Sequence, residues 1–372
     1  MADTEKPVQP KAKVQDILDE FGLREDMLGA FCSKTKGLIE ASLEDAKIRI
    51  QSVQARVKSK AKLKQKYLDP AKDYKCLDDI TDLAGLRVIT YYEDDVDRVA
   101  EVIKREFNVD LARSVDKRKT EPDRFGYNAI NYVCTHDKKR TLDVEYKKFA
   151  EVLCEIQITS ILRHAWSELE HEWYDLKSAY PDPVKRRFYR IAALLEVAES
   201  EFLDLRQIRS QYEKSVAVRV EANVLDVPVD SVSLKAFAET EPLITELDKL
   251  VSAAVGAGLI EEIPDRTFES VAKVVNAAGI STLGQLSELL KHFANSIPNY
   301  ARLFAHEIRP NPPAGLQIYR LNCIYYLCFI FANVTGVDAT TELLRGMDVI
   351  LPISAERQIA IAKSVLKKAG SN

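Results

Sequence analysis

Between Glu151 and Thr159 polar and apolar residues alternate. Val152, Cys154, Ile156 and Ile158 point one way, and Glu155, Gln157 and Thr159 the other. A period of two predicts a strand. A carboxylate and an amide side by side on an otherwise apolar strand are costly unless that face is a site. The period then changes: Leu162, Ala165, Trp166, Leu169, Trp173 and Leu176 recur at helical spacing, with His164, Glu168 and His171 on a neighbouring stripe. Upstream, a short helix is expected over residues 14–24 and a long one over 27–68, ended by Asp69-Pro70. Residues 86–92 read as a strand apolar on both faces and therefore central. Asp94-Asp95 cap a helix to about 107. A basic loop (113–124), a strand (128–135) and a turn-rich stretch (136–148) follow. This order predicts an α/β (α+β) domain with a mixed sheet flanked by helices.

A second long helix is expected over 183–222, about 60 Å long at 1.5 Å per residue. Its seam of Val184, Phe188, Ile191, Leu195, Ala198, Phe202 and Leu205 is expected to pack on the sheet or the N-terminal helices. Beyond residue 233 the pattern is helical throughout, with a C-cap and a new N-cap at Ala278-Gly279-Ile280-Ser281-Thr282-Leu283. The domain division that follows is a disordered 1–13, a site-bearing domain with long helices over 14–225, and an all-α C-terminal domain of unassigned role over 226–372.

A length of 372 residues suits two domains. The net charge of −4 gives no general affinity for nucleic acid or membrane. Six cysteines with no CxxC pair read as reduced thiols, which predicts a cytoplasmic protein. The charged N-terminus lacks the apolar run of a signal peptide. The most apolar stretch, 318–334, is interrupted by Arg320 and Asn322 and reads as a buried helix, so no membrane is expected.

The charge is unevenly placed. Residues 46–68 carry Lys47, Arg49, Arg56, Lys58, Lys60, Lys62, Lys64 and Lys66 and no acid. On a continuous helix Lys58, Lys62 and Lys66 would share a stripe and repel. Such a run is either a solvated face or a seat for an outside anion such as a polyphosphate. Asp82, just before the central strand, and Glu155, on a later one, are the acids that Mg²⁺ takes in phosphoryl-transfer sites, with water and phosphate oxygens completing its shell. Such transfer rests on positioning and electrostatics and requires no Ser, Cys or His nucleophile. Structural ion pairing is the plain alternative. The stripe His164, Glu168, His171 does not have the spacing of a helical zinc motif.

The run Asp82-Leu-Ala-Gly-Leu-Arg87-Val, the Gly126-Tyr127 loop, and Glu155-Ile-Gln-Ile followed by Ala165-Trp166-Ser-Glu168-Leu-Glu170-His171 resemble the synthetase domain of RelA/SpoT-type alarmone synthetases. Arg56-x-Lys58-Ser59…Lys66 is similar to the basic ATP-binding stretch of that family. The resemblance covers about residues 45–215. It implies a nucleotidyltransferase-like fold and transfer of pyrophosphate from ATP to the 3′-hydroxyl of GDP or GTP, with Mg²⁺. It further implies that Asp82 and Glu155 hold the metal and that Glu155 is the general base. Arg56, Lys58, Lys62, Lys66 and Arg87 would serve ATP, and Tyr127, Asn131, Gln157 and His171 the acceptor, Tyr127 by stacking on its base.

The acceptor loop departs from the family pattern. Gly126-Tyr127-Asn128-Ala129-Ile130-Asn131 stands where Gly-Tyr-Arg-Ser-x-His is usual, Thr159 replaces a common Arg, and Lys62 a common Ser. The His-rich hydrolase half of the bifunctional members has no counterpart here. Three readings remain open at this point. One is a (p)ppGpp synthetase. Another is a toxin-like relative that modifies the 3′ end of tRNA or an adenine nucleotide, controlled by a trigger or inhibitor acting through the C-terminal domain. The last is a non-catalytic nucleotide-binding regulator. Self-association is compatible with each.

Overall fold

The computed structural model describes residues 14–118, 129–174, 181–308, 315–335 and 355–369. They divide between two compact units, Met1–Arg206 and Gln207–Asn372.

The first unit is built on α1 (Val14–Asp45), β1 (Ile50–Val57), α2 (Lys60–Tyr67), β2 (Ala84–Thr90), α3 (Asp94–Glu106), β3 (Phe107–Asp116), β4 (Ile130–His136), α4 (Val144–Lys147), β5 (Cys154–Ser160), α5 (Ile161–Tyr174) and the start of α6 (Asp182–Glu221). The strands form one mixed sheet in the order β1-β2-β5-β4-β3, in which only the β2–β5 pair is parallel. The α/β expectation is met, and β5 is the middle strand. Cys154, Ile156 and Ile158 lie in the core with Leu86, Val88, Ile130 and Cys134, and α1 adds Phe21, Phe31, Ile39 and Leu43 from behind. Glu155 and Gln157 lie partly buried on the other face, as the alternation requires.

Three expectations are corrected. The helices expected over 14–24 and 27–68 are instead one unbroken helix, α1, followed by a strand and a short second helix. The chain leaves α1 at Asp45, Lys47 takes a left-handed φ of 53°, and Ile50–Val57 is a strand paired with β2. The basic loop from 113 begins inside β3, which runs to Asp116. On α6 the packed stripe is rotated. Ala192 and Glu199 are buried, and Phe188 lies tilted against Trp166 with ring centroids 4.1 Å apart, whereas Ile191, Phe202 and Leu205 are exposed. The cause is polar: Glu199 accepts a hydrogen bond from Ser160 at the end of β5, and Arg163 lies beside it. Arg206 adds ion pairs to Asp94 and Asp95.

His136 closes β4 and is 1% exposed. It is ringed by Phe31, Phe107, Tyr146 and Phe149, with Nε2 3.1 Å from the Thr35 hydroxyl. Burial, and then the charge of Arg140, push its pKa down to about 4. An unfolded chain protonates this ring near its ordinary value of 6.5, and the folded one does not. Stability is therefore full above that value and falls by about 3 kcal/mol as pH drops through the interval. Urea midpoints measured across it should fall in the wild type and fall less in His136→Phe.

The second unit is helical: α7 (Ser231–Thr240), α8 (Pro242–Val255), α9 (Asp265–Ala277), α10 (Leu283–Phe293), α11 (Ser296–Ile308), α12 (Asn322–Thr335) and a last helix over Ala355–Ala369. Two three-residue strands, Gly258–Ile260 and Gln317–Tyr319, pair in parallel. Gly279 takes φ 82° after α9, and Thr282 caps α10 reciprocally with Gln285, as read from the sequence. Buried Asp248 accepts the backbone N–H groups of Leu321 and Cys323, at 2.7 and 3.0 Å, where α12 begins. Among the described residues no helix is long and apolar enough to cross a membrane.

Candidate active site

The open face of the sheet carries two rows of residues fixed by strand register. Arg56, Gly85 and Glu155 stand side by side on β1, β2 and β5, and Gln54, Arg87, Gln157 and Asn131 form the next row from β1 to β4. Together with Asp82, Lys117, Ser167 and Glu170 they line a cavity of about 430 Å³. Gly85 leaves the floor between Arg56 and Glu155 without a side chain, and a Cβ there would come within 3.8 Å of the Arg56 side chain.

Asp82 lies in the turn that leads into β2. Its Oδ2 accepts from Lys58 at 2.6 Å and from Lys66 at 2.9 Å. Lys58 follows β1 directly and Lys66 projects from α2, whose first turn is capped by Ser59. Two elements thus deliver two ammonium groups to one oxygen, while Asp82 Oδ1 is buried with no hydrogen-bond partner. Burial works to raise the Asp82 pKa, but the hydrogen bonds and charges of Lys58 and Lys66 hold it below the usual carboxylate range. Burial lowers that of Lys58, against Asp82. Burial also works to lower that of Lys66, but there Asp82 prevails and the pKa is raised.

Glu155 behaves oppositely. Burial first, and the charge of Asp82 second, push its pKa up, moderated by Lys66, Lys117 and Lys58. Asn131 donates to its Oε1 at 3.3 Å and keeps a buried, unpaired Oδ1 of its own. A carboxylate of raised pKa, steadied by an amide and facing a cation-lined cavity, is suited to taking a proton from a bound hydroxyl.

Arg87 is held by the protein. Its guanidinium donates to Gln157 and to Glu168 (2.6 Å), and lies 3.1 Å from His164 Nδ1. The stripe of His164 and Glu168 is therefore turned onto Arg87. Among the described residues no group of three or more His, Cys, Asp and Glu side chains could hold a metal. Two carboxylates remain, Asp82 and Glu155. The orphaned oxygen of Asp82 fits a hard cation whose remaining ligands are phosphate oxygens and water.

The structure thus brings together Asp82, Glu155, Arg56, Lys58, Lys66, Arg87, Asn131 and Gln157. Lys62 is exposed on α2 and does not line the cavity. Tyr127 and the side chain of His171 lie outside the described residues. Gln54, Gly85, Lys117, Ser167 and Glu170 line the cavity without having been singled out as site residues. Gln54 was hidden by the helical reading of 27–68. Ser167 and Glu170 belong to the α5 motif that follows Glu155.

Residues 55–178 match the family described as a region found in RelA/SpoT proteins, and the resemblance read from the motifs is borne out over that segment. The GTP pyrophosphokinase YwaC of Bacillus subtilis is 26% identical over 129 residues, 34% of this chain and 59% of the relative, so the match spans less than two thirds of that protein. The GTP pyrophosphokinase YjbM of Bacillus subtilis is 26% identical over 168 residues, 44% of this chain and 75% of the relative. Among solved structures, the small alarmone synthetase 1 from Bacillus subtilis aligns over 52% of this chain and 99% of its own, at 21% identity and a TM-score of 0.43.

Proposed function

We propose that the chain, RelA/SpoT-type over residues 55–178, is an ATP-dependent pyrophosphokinase that transfers pyrophosphate to the 3′-hydroxyl of a guanine nucleotide, GDP or GTP. One observation carries this reading: Lys58 and Lys66 converge on Asp82, whose second oxygen is buried and unpaired, in the cavity that also holds Glu155. The guanine acceptor draws support from the names of the two relatives, both GTP pyrophosphokinases.

In this reading Arg56, Lys58 and Lys66 hold the triphosphate of ATP by charge-assisted hydrogen bonds. Asp82, with Glu155 beside it, would ligate Mg²⁺, which when bound neutralises phosphate charge and orients the β-phosphate. Gln157 and Asn131 lie on the acceptor side. The acceptor 3′-oxygen bonds to the β-phosphorus of ATP as the bridge from that phosphorus to the α-phosphate breaks and AMP departs. The hydroxyl proton passes to Glu155. Arg87 braces β2, β5 and α5, which keeps Gln157 in place.

A second reading, transfer to the 3′ end of tRNA or to an adenine nucleotide, is favoured by Lys117, a cation on the cavity wall, and by Asn131 in place of the usual His. The test is transfer from β,γ-labelled ATP with GDP, GTP, ADP and bulk tRNA offered in parallel. Label on a guanine nucleotide is the expected result. Label on tRNA or ADP alone would replace the first reading by the second, and no transfer to any acceptor would overturn both.

A further inference from the structure

The ion pairs at Asp82 have a consequence for the order of binding, one that rests on the pyrophosphokinase reading and deepens it. The carboxylate proposed to ligate a metal is already engaged, with Lys58 Nζ at 2.6 Å and Lys66 Nζ at 2.9 Å on the same oxygen. These two lysines are also those proposed to hold the triphosphate. Lys58 is 11% and Lys66 28% exposed in their side chains, and Asp82 19%, so water screens the triad weakly. A divalent cation arriving alone meets two ammonium groups within contact distance of its intended ligand. A triphosphate arriving without metal must draw the same lysines away from a buried carboxylate, which would be left uncompensated.

We propose that Lys58, Lys66 and Asp82 form a latch that couples metal and nucleotide. Each lysine is a competitor of the metal for Asp82, and Asp82 is a competitor of ATP for the lysines. With metal and triphosphate both present no charge need be stranded: the lysines would turn to phosphate, and Asp82 would offer Oδ2 and its unpaired Oδ1 to the metal. Either ligand alone breaks the triad and leaves one sign of charge unpaired. The full chain therefore takes up the metal–nucleotide complex in preference to either component.

The latch makes an unusual prediction. Removing the carboxylate should strengthen metal-free nucleotide binding, and removing a lysine should strengthen nucleotide-free metal binding. Binding of a non-hydrolysable ATP analogue is measured by calorimetry in excess EDTA. Binding of Mn²⁺ alone is measured from the free-ion paramagnetic signal. For Asp82→Asn the analogue should bind about tenfold tighter than to wild type. For Lys66→Met, and separately Lys58→Met, Mn²⁺ should bind about tenfold tighter, as loss of one unit charge near the metal requires. The Lys66→Met/Asp82→Asn double variant should lose that gain in Mn²⁺ affinity.

If Asp82→Asn binds the metal-free analogue no more tightly than wild type while Lys66→Met weakens it, the lysines serve ATP but the latch is wrong. Unchanged Mn²⁺ affinity in both lysine variants also overturns it. If Lys66→Met leaves analogue binding untouched, the ATP site itself is misplaced and the functional reading fails with it. The two lysine substitutions lie on different elements, so misfolding of one leaves the other to decide.

Discussion

Replacing Glu155 by Gln is expected to reduce pyrophosphate transfer by on the order of 10³-fold, the scale set by loss of a positioned general base, and at the same time to raise the thermal midpoint. The two effects have one cause. Burial and the neighbouring charge of Asp82 hold the Glu155 pKa above its ordinary value, so ionising this group costs the folded chain more than it costs the unfolded one. For a raised carboxylate the sign is clear. The folded state is favoured while the group is protonated, and that advantage is lost as pH rises from the unfolded to the folded pKa. Gln keeps the shape and still offers an oxygen to Asn131, but cannot ionise. The stability gap between variant and wild type should open over that pH window and close at about pH 4. Initial rates and melting curves on the same samples check both halves. A variant that kept its rate would remove Glu155 as the base, and one whose midpoint fell would contradict the electrostatic account.

Asp82→Asn should also abolish transfer, with the opposite effect on stability. The Asp82 pKa is depressed by Lys58 and Lys66, so its stabilising contribution is present at neutral pH and disappears as pH falls through the folded value. The amide leaves two ammonium groups facing each other near the cavity floor. Breaking a buried pair costs about 3–5 kcal/mol in general. With Lys66 28% exposed, about 2 kcal/mol is expected here. A triple variant in which Asp82, Lys58 and Lys66 all become apolar should recover the stability and none of the activity, because no lone charge remains. Chemical denaturation of the single and triple variants separates the structural role of the triad from its role toward nucleotide.

The contrast between what was legible in the chain and what was not follows the position of each strand in the sheet. β5 and β2 are interior strands. Their core faces are continuous apolar rows, so Glu155 and Gln157 stand out as polar exceptions on β5, whereas the reading of β2 as apolar on both faces is corrected by Arg87, which lines the cavity on the open face. The two strands that the pattern concealed, β1 and β3, are the edges. An edge strand is half-solvated and can be almost wholly polar. Of the residues in β1 only Val53 is fully buried, and the surrounding Gln, Arg and Lys have helical propensity. Pairing with β2 overrides it. The error also displaced the basic stripe. Lys58 and Lys66 do meet, but through a strand end and a separate helix, and Lys62 is left on the outside. The rotation of α6 had no apolar signal at all, since a buried Glu199 decides it through Ser160.

The parallel pairing of β2 with β5 bears on the time at which the cavity can form. Gly85 and Glu155 are neighbours across that pair but lie 70 residues apart in the chain, and the strand that separates them from β3 in space, β4, also comes before β5 in sequence. Closing so long a loop costs chain entropy before any contact repays it, and such non-local pairings slow folding. During synthesis β1, β2, β3 and β4 all leave the ribosome before β5, so the sheet, whose middle strand is β5, can close only after the other four have been made. A chain interrupted short of residue 155 carries Asp82 and its lysines but lacks the middle strand that joins β2 to β4, so the two carboxylates of the cavity come together only once β5 is made.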